Sequence, residues 1–266
     1  MMLFSSWCFI KFSKNAAVGV VLFSIFIYFG LTNMPWLPLI FIYGLIGYRI
    51  GGFKLSLTII ASFLFITFTG VLPQALLSIY LCGIAVIISF IVGASLGIWA
   101  AHNDKVSAFM RPINDTMQTM PSFVILIPFV MFFGIGEFTA LLAIIAYAFV
   151  PAMRYTEHGL RNLPETVIEA ARMIGCSQAQ LLWKVKIPLA MPVIMLGLNQ
   201  TIMFGLAMLV IAALVGTTGL GQLIYIGLSK ADFGTGMISG VSIALIAIIF
   251  DRTTQAWRIK LEKKTQ

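Results

Sequence analysis

Residues 164–192 read PETVIEAARMIGCSQAQLLWKVKIPLAMP, a charged, amphipathic island between long apolar runs. Pro164 suits the first position of a helix, and Glu165 puts an acid in the first turn, where the helix dipole favours it. Val167, Ala170, Ala171 and Ile174 recur at helical spacing on one predicted face, opposite Glu165, Glu169 and Arg172. Gly175 reads as a C-terminal stop. Ser177 with Gln180 three residues later reads as a capping box that opens a second helix. That helix carries Leu181, Leu182 and Val185 and is predicted to end near Pro188. The spacing predicts a helix–glycine–helix hairpin outside the membrane, tied at both ends to membrane helices.

Working outward, 60% of the 266 residues are hydrophobic and only 10% are charged, which excludes a soluble domain and predicts an all-α polytopic membrane protein. Lys11 and Lys14 precede the apolar run Ala16–Leu31. A cleaved signal peptide has that pattern, but no small-x-small site follows Leu31, so a retained first span is expected. Further apolar segments cover 37–48, 55–72, 76–100, 118–134, 138–153, 190–215 and 236–251. The first of these is short for a span of about 20 residues. Residues 37–48 and 55–72 therefore fit a tilted hairpin or a re-entrant element better than two clean spans.

If the segments alternate from an inside N-terminus, sixteen of the seventeen Lys and Arg residues fall on the inner side and only Lys230 outside. That asymmetry predicts eight spans with both termini cytoplasmic and the 164–192 hairpin in the cytoplasm. It also accounts for the net charge of +8 without nucleic acid. The three cysteines, Cys8, Cys82 and Cys176, have neither metal-ligand spacing nor a disulfide framework.

Ionisable groups are scarce in the spans: Glu137 is placed at an outer turn and Asp251 at an inner helix end. A proton-coupled pump needs acids or histidines at mid-depth, so a neutral or zwitterionic solute moved by another energy source fits better. The polar residues that remain are Gln118, Thr119 and Ser122, then Asn199, Gln200 and Thr201, with Met203 and Met208 nearby. Two readings of them stay open. Their amides and hydroxyls either bond neighbouring helices or line a path for solute, with Gln118, Ser122, Asn199, Gln200 and Met203 as candidates. Gly93–Gly97 and Gly236–Gly240 have the spacing of close helix packing. The outer stretch Gly216–Gln222 lacks the GxxxxGK[ST] pattern of a phosphate loop, and its glycines are read as a tight outer turn. His102 with Asp104 and Glu157 with His158 supply only two ligands each, too few for a metal site. No catalytic residue and no metal ligand is expected.

The island resembles the EAA loop of ABC-transporter permeases: Glu169-Ala170-Ala171, Gly175 after three intervening residues, then Val185-Lys186-Ile187-Pro188. In that family the loop is the coupling helix that docks into a groove on a cytoplasmic ATPase. The resemblance implies that role for residues 155–190, with Glu169, Ala170, Ala171, Gly175 and Pro188 as the ATPase-coupling residues. Residues 76–251 are similar to the core of type I importer permeases. Gln118–Phe123, Phe133–Gly136, Glu169–Cys176, Pro188–Pro192, Ile211–Gly216 and Gly219-Leu220-Gly221 carry that similarity, in particular to glycine betaine/proline betaine permease subunits. It implies a MetI-like five-helix core over 73–266, preceded by about three transmembrane segments within 1–72.

By the same resemblance the chain is a permease homodimer in a bacterial inner membrane, partnered by ABC ATPase subunits and an extracytoplasmic solute-binding protein. ATP and magnesium would sit in the ATPase, with no cofactor in this chain. The implied solute is a quaternary ammonium osmolyte such as glycine betaine, proline betaine, choline or carnitine. An amino-acid permease is the alternative, and a polytopic membrane enzyme or scaffold the alternative of another class. Co-purification with an ATPase carrying Walker motifs separates them.

Overall fold

The computed structural model describes residues 35–265, with side chains from Pro35 to Glu262, and every regular element among them is helical. The apolar run Ala16–Leu31, read as the first span, lies outside the described residues. Helix α1 covers Trp36–Phe68, α2 Leu72–His102, α3 Asp104–Thr119, α4 Ser122–Phe133 and α5 Glu137–Arg161. Then follow α6 (Glu165–Met173), α7 (Gln178–Val215), α8 (Leu220–Ser229) and α9 (Phe233–Thr265). Helices α2, α5, α7 and α9 are long and apolar enough to cross a membrane, α1 is so only if its two limbs are counted as one, and the bent pair α3–α4 adds another if taken as one.

Helix α1 is not straight. Gly52 adopts φ 77° and ψ −167°, a conformation that disfavours a β-carbon, and the chain reverses there. The Ser56 hydroxyl donates to the Gly44 carbonyl at 2.9 Å, although a straight helix would hold residues twelve apart about 18 Å from each other. Tyr43 stacks on Phe63 with centroids 5.2 Å apart. Of the arrangements open for 37–48 and 55–72, the structure has an antiparallel hairpin whose limbs, 36–51 and 53–68, are each about 24 Å long. Its tip rests on α9, where the Lys260 ammonium donates to the Arg49 carbonyl.

Helix α5 is the centre of the bundle, packed between α2 and α7. In lipid the drive for helix association is close van der Waals packing, and small residues permit it. Ala140, Ala143, Ala148 and Ala152 of α5 are fully buried. A β-carbon at Gly93 would lie 2.5 Å from the Phe149 carbonyl oxygen, and one at Gly97 2.6 Å from that of Met153. The Gly93–Gly97 spacing is thus a seam. Gly236 instead faces Gly227 of α8, while Gly240 has open space beside it, so the second pair forms no such seam.

Connectivity and contacts place the tip of α1, the ends of α2 and α5, the 162–186 hairpin and the last turns of α9 at one end of the bundle. At the opposite end lie the turns at Gly70, Gly134–Gly136, Gly216–Gly219 and Lys230–Asp232. Among the described residues, Lys230 is the one basic residue at that second end. There Asp232 opens α9: Thr235 donates its hydroxyl at 2.7 Å and its amide at 3.2 Å, and these bonds hold the carboxyl below the usual carboxylate range.

Four expectations need correction. Residues 118–134 are not one straight span: α3 and α4 meet at an angle of 103° across Met120 and Pro121. A residue before proline is pushed out of the helical region, and Met120 is extended (φ −68°, ψ 136°). Pro188 does not end a helix, because α7 runs on through it. Pro188 has no N–H for the carbonyl four residues back, and the preceding turn, Leu181–Lys186, widens to a π-helix in which Ile187 N–H reaches Leu182 O. Asp251 is not at a helix end, since α9 continues to Thr265. The stretch after Gly216 is more than a turn: it contains the ten-residue helix α8, too short for a span and so invisible to a search for spans.

Candidate functional site

The hairpin forms as its punctuation demands. Helix α6 closes on Gly175 (φ 85°) with the paired bonds of a left-handed cap: Gly175 N–H to Arg172 O at 2.9 Å and Cys176 N–H to Ala171 O at 3.3 Å. Ser177 and Gln180 make a reciprocal capping box, with Gln180 N–H donating to Ser177 Oγ at 3.3 Å and Ser177 N–H to Gln180 Oε1 at 2.9 Å.

Its faces differ from the sequence expectation. Ala171 is buried and Ile168 half-buried where α6 packs against the Leu181–Lys186 turn, and Leu181 is buried there too. Val167, Ala170 and Ile174, expected to share a face with Ala171, are exposed. Met173 is 90% exposed, Ile174 84% and Trp183 66%. This apolar surface stands beyond the apolar spans and is exposed among the described residues. Glu169 is exposed, and its side chain has no hydrogen bond or ion pair among the described residues, so it does not pair with Arg172.

Arg161 roots the hairpin. One guanidinium bonds the Asp104 carboxylate at 2.8 Å, the Ala100 carbonyl at 2.7 Å and the Glu157 carboxylate at 3.1 Å. Glu157 also accepts from the Ser107 hydroxyl at 2.5 Å. The end of α2, the start of α3 and the end of α5 are thereby joined immediately before the hairpin leaves the bundle. Asp104 and Glu157, the acids of the two pairs too small for a metal site, are held in these bonds. Arg154 pairs with Asp115 in the same region.

The candidate path residues lie on three helices, α3, α4 and α7, in different surroundings. Gln118 lines an open cleft of about 740 Å³ between α3 and α5, with Asn114, Asp115 and Arg154. Ser122 is half-buried at the start of α4. Asn199 turns into the bundle: its amide nitrogen donates to the Asp251 carboxylate at 2.9 Å and its carbonyl oxygen accepts from the Thr254 hydroxyl at 2.6 Å. Gln255 completes this knot with a donor 2.7 Å from Asp251. Gln200, one residue on and so about 100° round the helix, leaves that contact. Gln200 and Met203 are half-buried and Ala207 and Leu214 exposed, a stripe along the open side of α7.

Reading along the sequence missed the α7–α9 knot, because its members are more than fifty residues apart. The cue present was a carboxylate, Asp251, close to Thr254 and Gln255 in an otherwise apolar helix. Also missed was the tie at the far end, where the Leu220 amide donates to the Ser78 hydroxyl at 2.8 Å.

The family described as "Binding-protein-dependent transport system inner membrane component" matches residues 93–258. The glycine betaine/proline betaine transport system permease protein ProW of Escherichia coli (strain K12) is 40% identical over 226 residues, 85% of this chain and 64% of that protein. The chain thus spans less than two thirds of that relative's length. The glycine betaine transport system permease protein OpuAB of Bacillus subtilis (strain 168) is 38% identical over 255 residues, 96% of this chain and 90% of that protein. Among solved structures, the inward-facing MetNI methionine ABC transporter in its CY5 native crystal form superposes with a TM-score of 0.63 at 18% identity. The match covers 72% of this chain and 95% of the other, and the likeness is one of fold. The expected all-helical, MetI-like importer fold is the fold observed.

Proposed function

This chain belongs to the family of binding-protein-dependent transport system inner membrane components, and from that premise we propose that it is the membrane permease of an ATP-driven importer for a quaternary ammonium osmolyte. The observation that carries the reading is the hairpin: an apolar surface of Val167, Met173, Ile174 and Trp183 held outside the bundle, beside the exposed Glu169. An exposed apolar patch rimmed by polar groups marks a docking surface. Its partner in this reading is a cytoplasmic ABC ATPase, which holds the ATP and magnesium. Glu169, Ala170, Ala171, Gly175 and Pro188 carry the coupling. Ala171 does so from inside the hairpin, by letting α6 lie close on the Leu181–Lys186 turn.

The complete importer in this reading has two permease chains related by a two-fold axis, with the solute path on that axis, and an extracytoplasmic binding protein that delivers the solute. Gln200 and Met203, on the open side of α7, line the path together with Gln118 and Ser122. Asn199 contributes by anchoring α7 to α9 behind it. Closure of the ATPases on nucleotide draws the two hairpins together and rocks the attached helices between inward- and outward-open packings. Glycine betaine is a zwitterion, and the one carboxylate in the middle of α9, Asp251, is already engaged by Asn199 and Gln255.

The test is reconstitution of the permease with its co-purifying ATPase and binding protein in vesicles, with ATP-dependent uptake measured for glycine betaine and for a panel of amino acids. Uptake of the betaine is expected, and Gln200→Leu is expected to lower it severalfold while leaving assembly and ATP hydrolysis intact. Failure to co-purify an ATPase would sink the permease reading. Uptake of an amino acid alone would move the solute assignment, and unchanged uptake by Gln200→Leu would leave that residue a packing group.

Sidedness has its own test. The bacterial inner membrane is the proposed location, with both termini and the hairpin cytoplasmic. Single cysteines at Glu262 and Gln178, in a background whose native cysteines are serine, should resist an impermeant thiol reagent in intact cells and react in inverted vesicles. Labelling from outside at either position overturns the topology.

A further inference from the structure

Between the tip of the α1 hairpin and α9 lies an open cleft of about 530 Å³ that the transport reading does not use. Close approach makes its floor: a β-carbon on Gly51 would stand 3.3 Å from that of Ala256. Lys54 and Thr58 of the hairpin and Arg252 and Gln255 of α9 line it, and Ile248 and Ile259 continue the wall along α9. Both cations are exposed, and neither has an ion pair among the described residues. The nearby acids are occupied: Asp251 accepts from Asn199 and Gln255, and Glu262 pairs with Arg258 at 3.7 Å. Arg49 and Lys260 add positive charge at the same tip.

Depth narrows the ligand. Arg252 stands nineteen residues along α9 from Phe233, about 28 Å at 1.5 Å per residue, close to the thickness of a bilayer's hydrocarbon core of about 30 Å. Lys54 and Arg252 therefore lie at headgroup level when Phe233 lies at the opposite boundary. Trp257, about 7.5 Å further along α9, and Tyr48 near the hairpin tip are both half exposed, as interfacial aromatics are. Towards the bilayer centre the neighbouring surface is apolar, with Leu57 and Ile248 exposed. The cleft thus offers, at its polar end, two cations without an ion pair among the described residues, and hydrocarbon at the other.

We propose that this cleft is a binding site for one anionic phospholipid, its phosphate between Lys54 and Arg252 and an acyl chain along Ile248. A basic pocket between membrane helices on the positively charged side suits an anionic headgroup. The bound lipid ties the α1 hairpin to α9, the helix whose Asp251 holds α7. A free inorganic phosphate would meet the same two cations but gain nothing from the apolar wall.

The experiment uses the full chain, purified in mild detergent from membranes containing phosphatidylethanolamine and phosphatidylglycerol, with native mass spectrometry counting retained lipids. The wild type should keep phosphatidylglycerol in preference to phosphatidylethanolamine. Lys54→Gln and Arg252→Gln should each weaken that retention about fivefold, and the double variant about 25-fold, from the loss of one or two surface-level charges. The charge-conserving pair Lys54→Arg and Arg252→Lys should retain it. Equal phosphatidylglycerol retention in the double glutamine variant overturns the site. Displacement of the lipid by inorganic phosphate in the wash overturns it as well, in favour of a soluble-anion site. Should the double variant fail to fold, the two single variants decide the matter by the same readout.

Discussion

Gly175→Val is expected to abolish solute uptake while the protein still inserts and its bundle keeps its stability. The reason is local. Gly175 holds φ 85°, and the space around an added β-carbon is empty, so the penalty is backbone strain and not a clash. A β-carbon in the left-handed region costs on the order of 1 kcal/mol or more, and a β-branched residue is a stronger outlier there. The strain is relieved by giving up the bonds from Gly175 and Cys176 to Arg172 and Ala171, which set the angle between α6 and the start of α7. Loss of that angle spoils the presented surface of Val167, Met173 and Ile174, so ATPase association or solute-stimulated hydrolysis should fall with uptake. Asparagine tolerates the left-handed region better than other residues with a β-carbon, so Gly175→Asn should retain substantial uptake. Ala171→Leu should resemble the valine variant, since Ala171 is buried inside the hairpin, and Glu169→Lys should impair ATPase association by reversing a charge that has no partner among the described residues. Insertion, association and uptake are measured for each. Near-normal uptake by Gly175→Val, Ala171→Leu and Glu169→Lys together would remove the hairpin from the coupling role.

The second large effect concerns folding. Gly93→Val and Gly97→Val should each prevent accumulation of folded permease, because the added atoms meet backbone. At Gly93 a β-carbon would lie 2.5 Å from Phe149 O and 2.7 Å from Ala152 Cβ; at Gly97 the corresponding contacts are Met153 O at 2.6 Å and Thr156 Cβ at 2.8 Å. A side-chain neighbour can change rotamer, whereas a helix carbonyl moves only if α2 and α5 part. Overpacking typically costs about 1–3 kcal/mol, and a rigid obstacle puts these sites at about the upper end. Gly83 and Gly240 are the controls, since nothing lies within 4 Å of a β-carbon at either. Gly83→Ala and Gly240→Ala should be neutral or stabilising by up to about 1 kcal/mol through helix propensity. The readouts are detergent-solubilised yield and the thermal midpoint. Equal behaviour of seam and control variants would show that the α2–α5 contact is not the tight one.

What could be read beforehand divides along physical lines. The Gly175 stop and the Ser177–Gln180 box are set by interactions within four residues, so the local sequence contains all their terms. The burial of an apolar face is different: Val167, Ala170 and Ile174 have the spacing of a packed face, yet whether their own chain covers them depends on helices distant in sequence. Pro188 misled because a missing donor can end a helix or widen its preceding turn, and the packed remainder of α7 decided for the second. The Gly52 reversal falls in the gap between the apolar segments 37–48 and 55–72, where hydropathy marks a break but not which residue takes the positive φ. Asn199 and Gln200 could be separated by angle but not assigned, because the partner that claims Asn199 lies fifty-two residues away at Asp251.

Helix α7 runs from Gln178 to Val215 without a break, 38 residues or about 57 Å of rod. Its only widened turn, Leu181–Lys186, lies beside the hairpin, and its body is clamped part-way along at Asn199. Mechanically this is a lever with its compliant joint at the driven end and its fulcrum inboard. In the coupling reading, a tilt of about 5° about Asn199 moves Leu214, about 22 Å further along the rod, through about 2 Å. A modest stroke at the hairpin is therefore delivered to Leu214 and the Gly216 turn undiminished by bending, and a softer fulcrum would lengthen the idle travel before the far end moves.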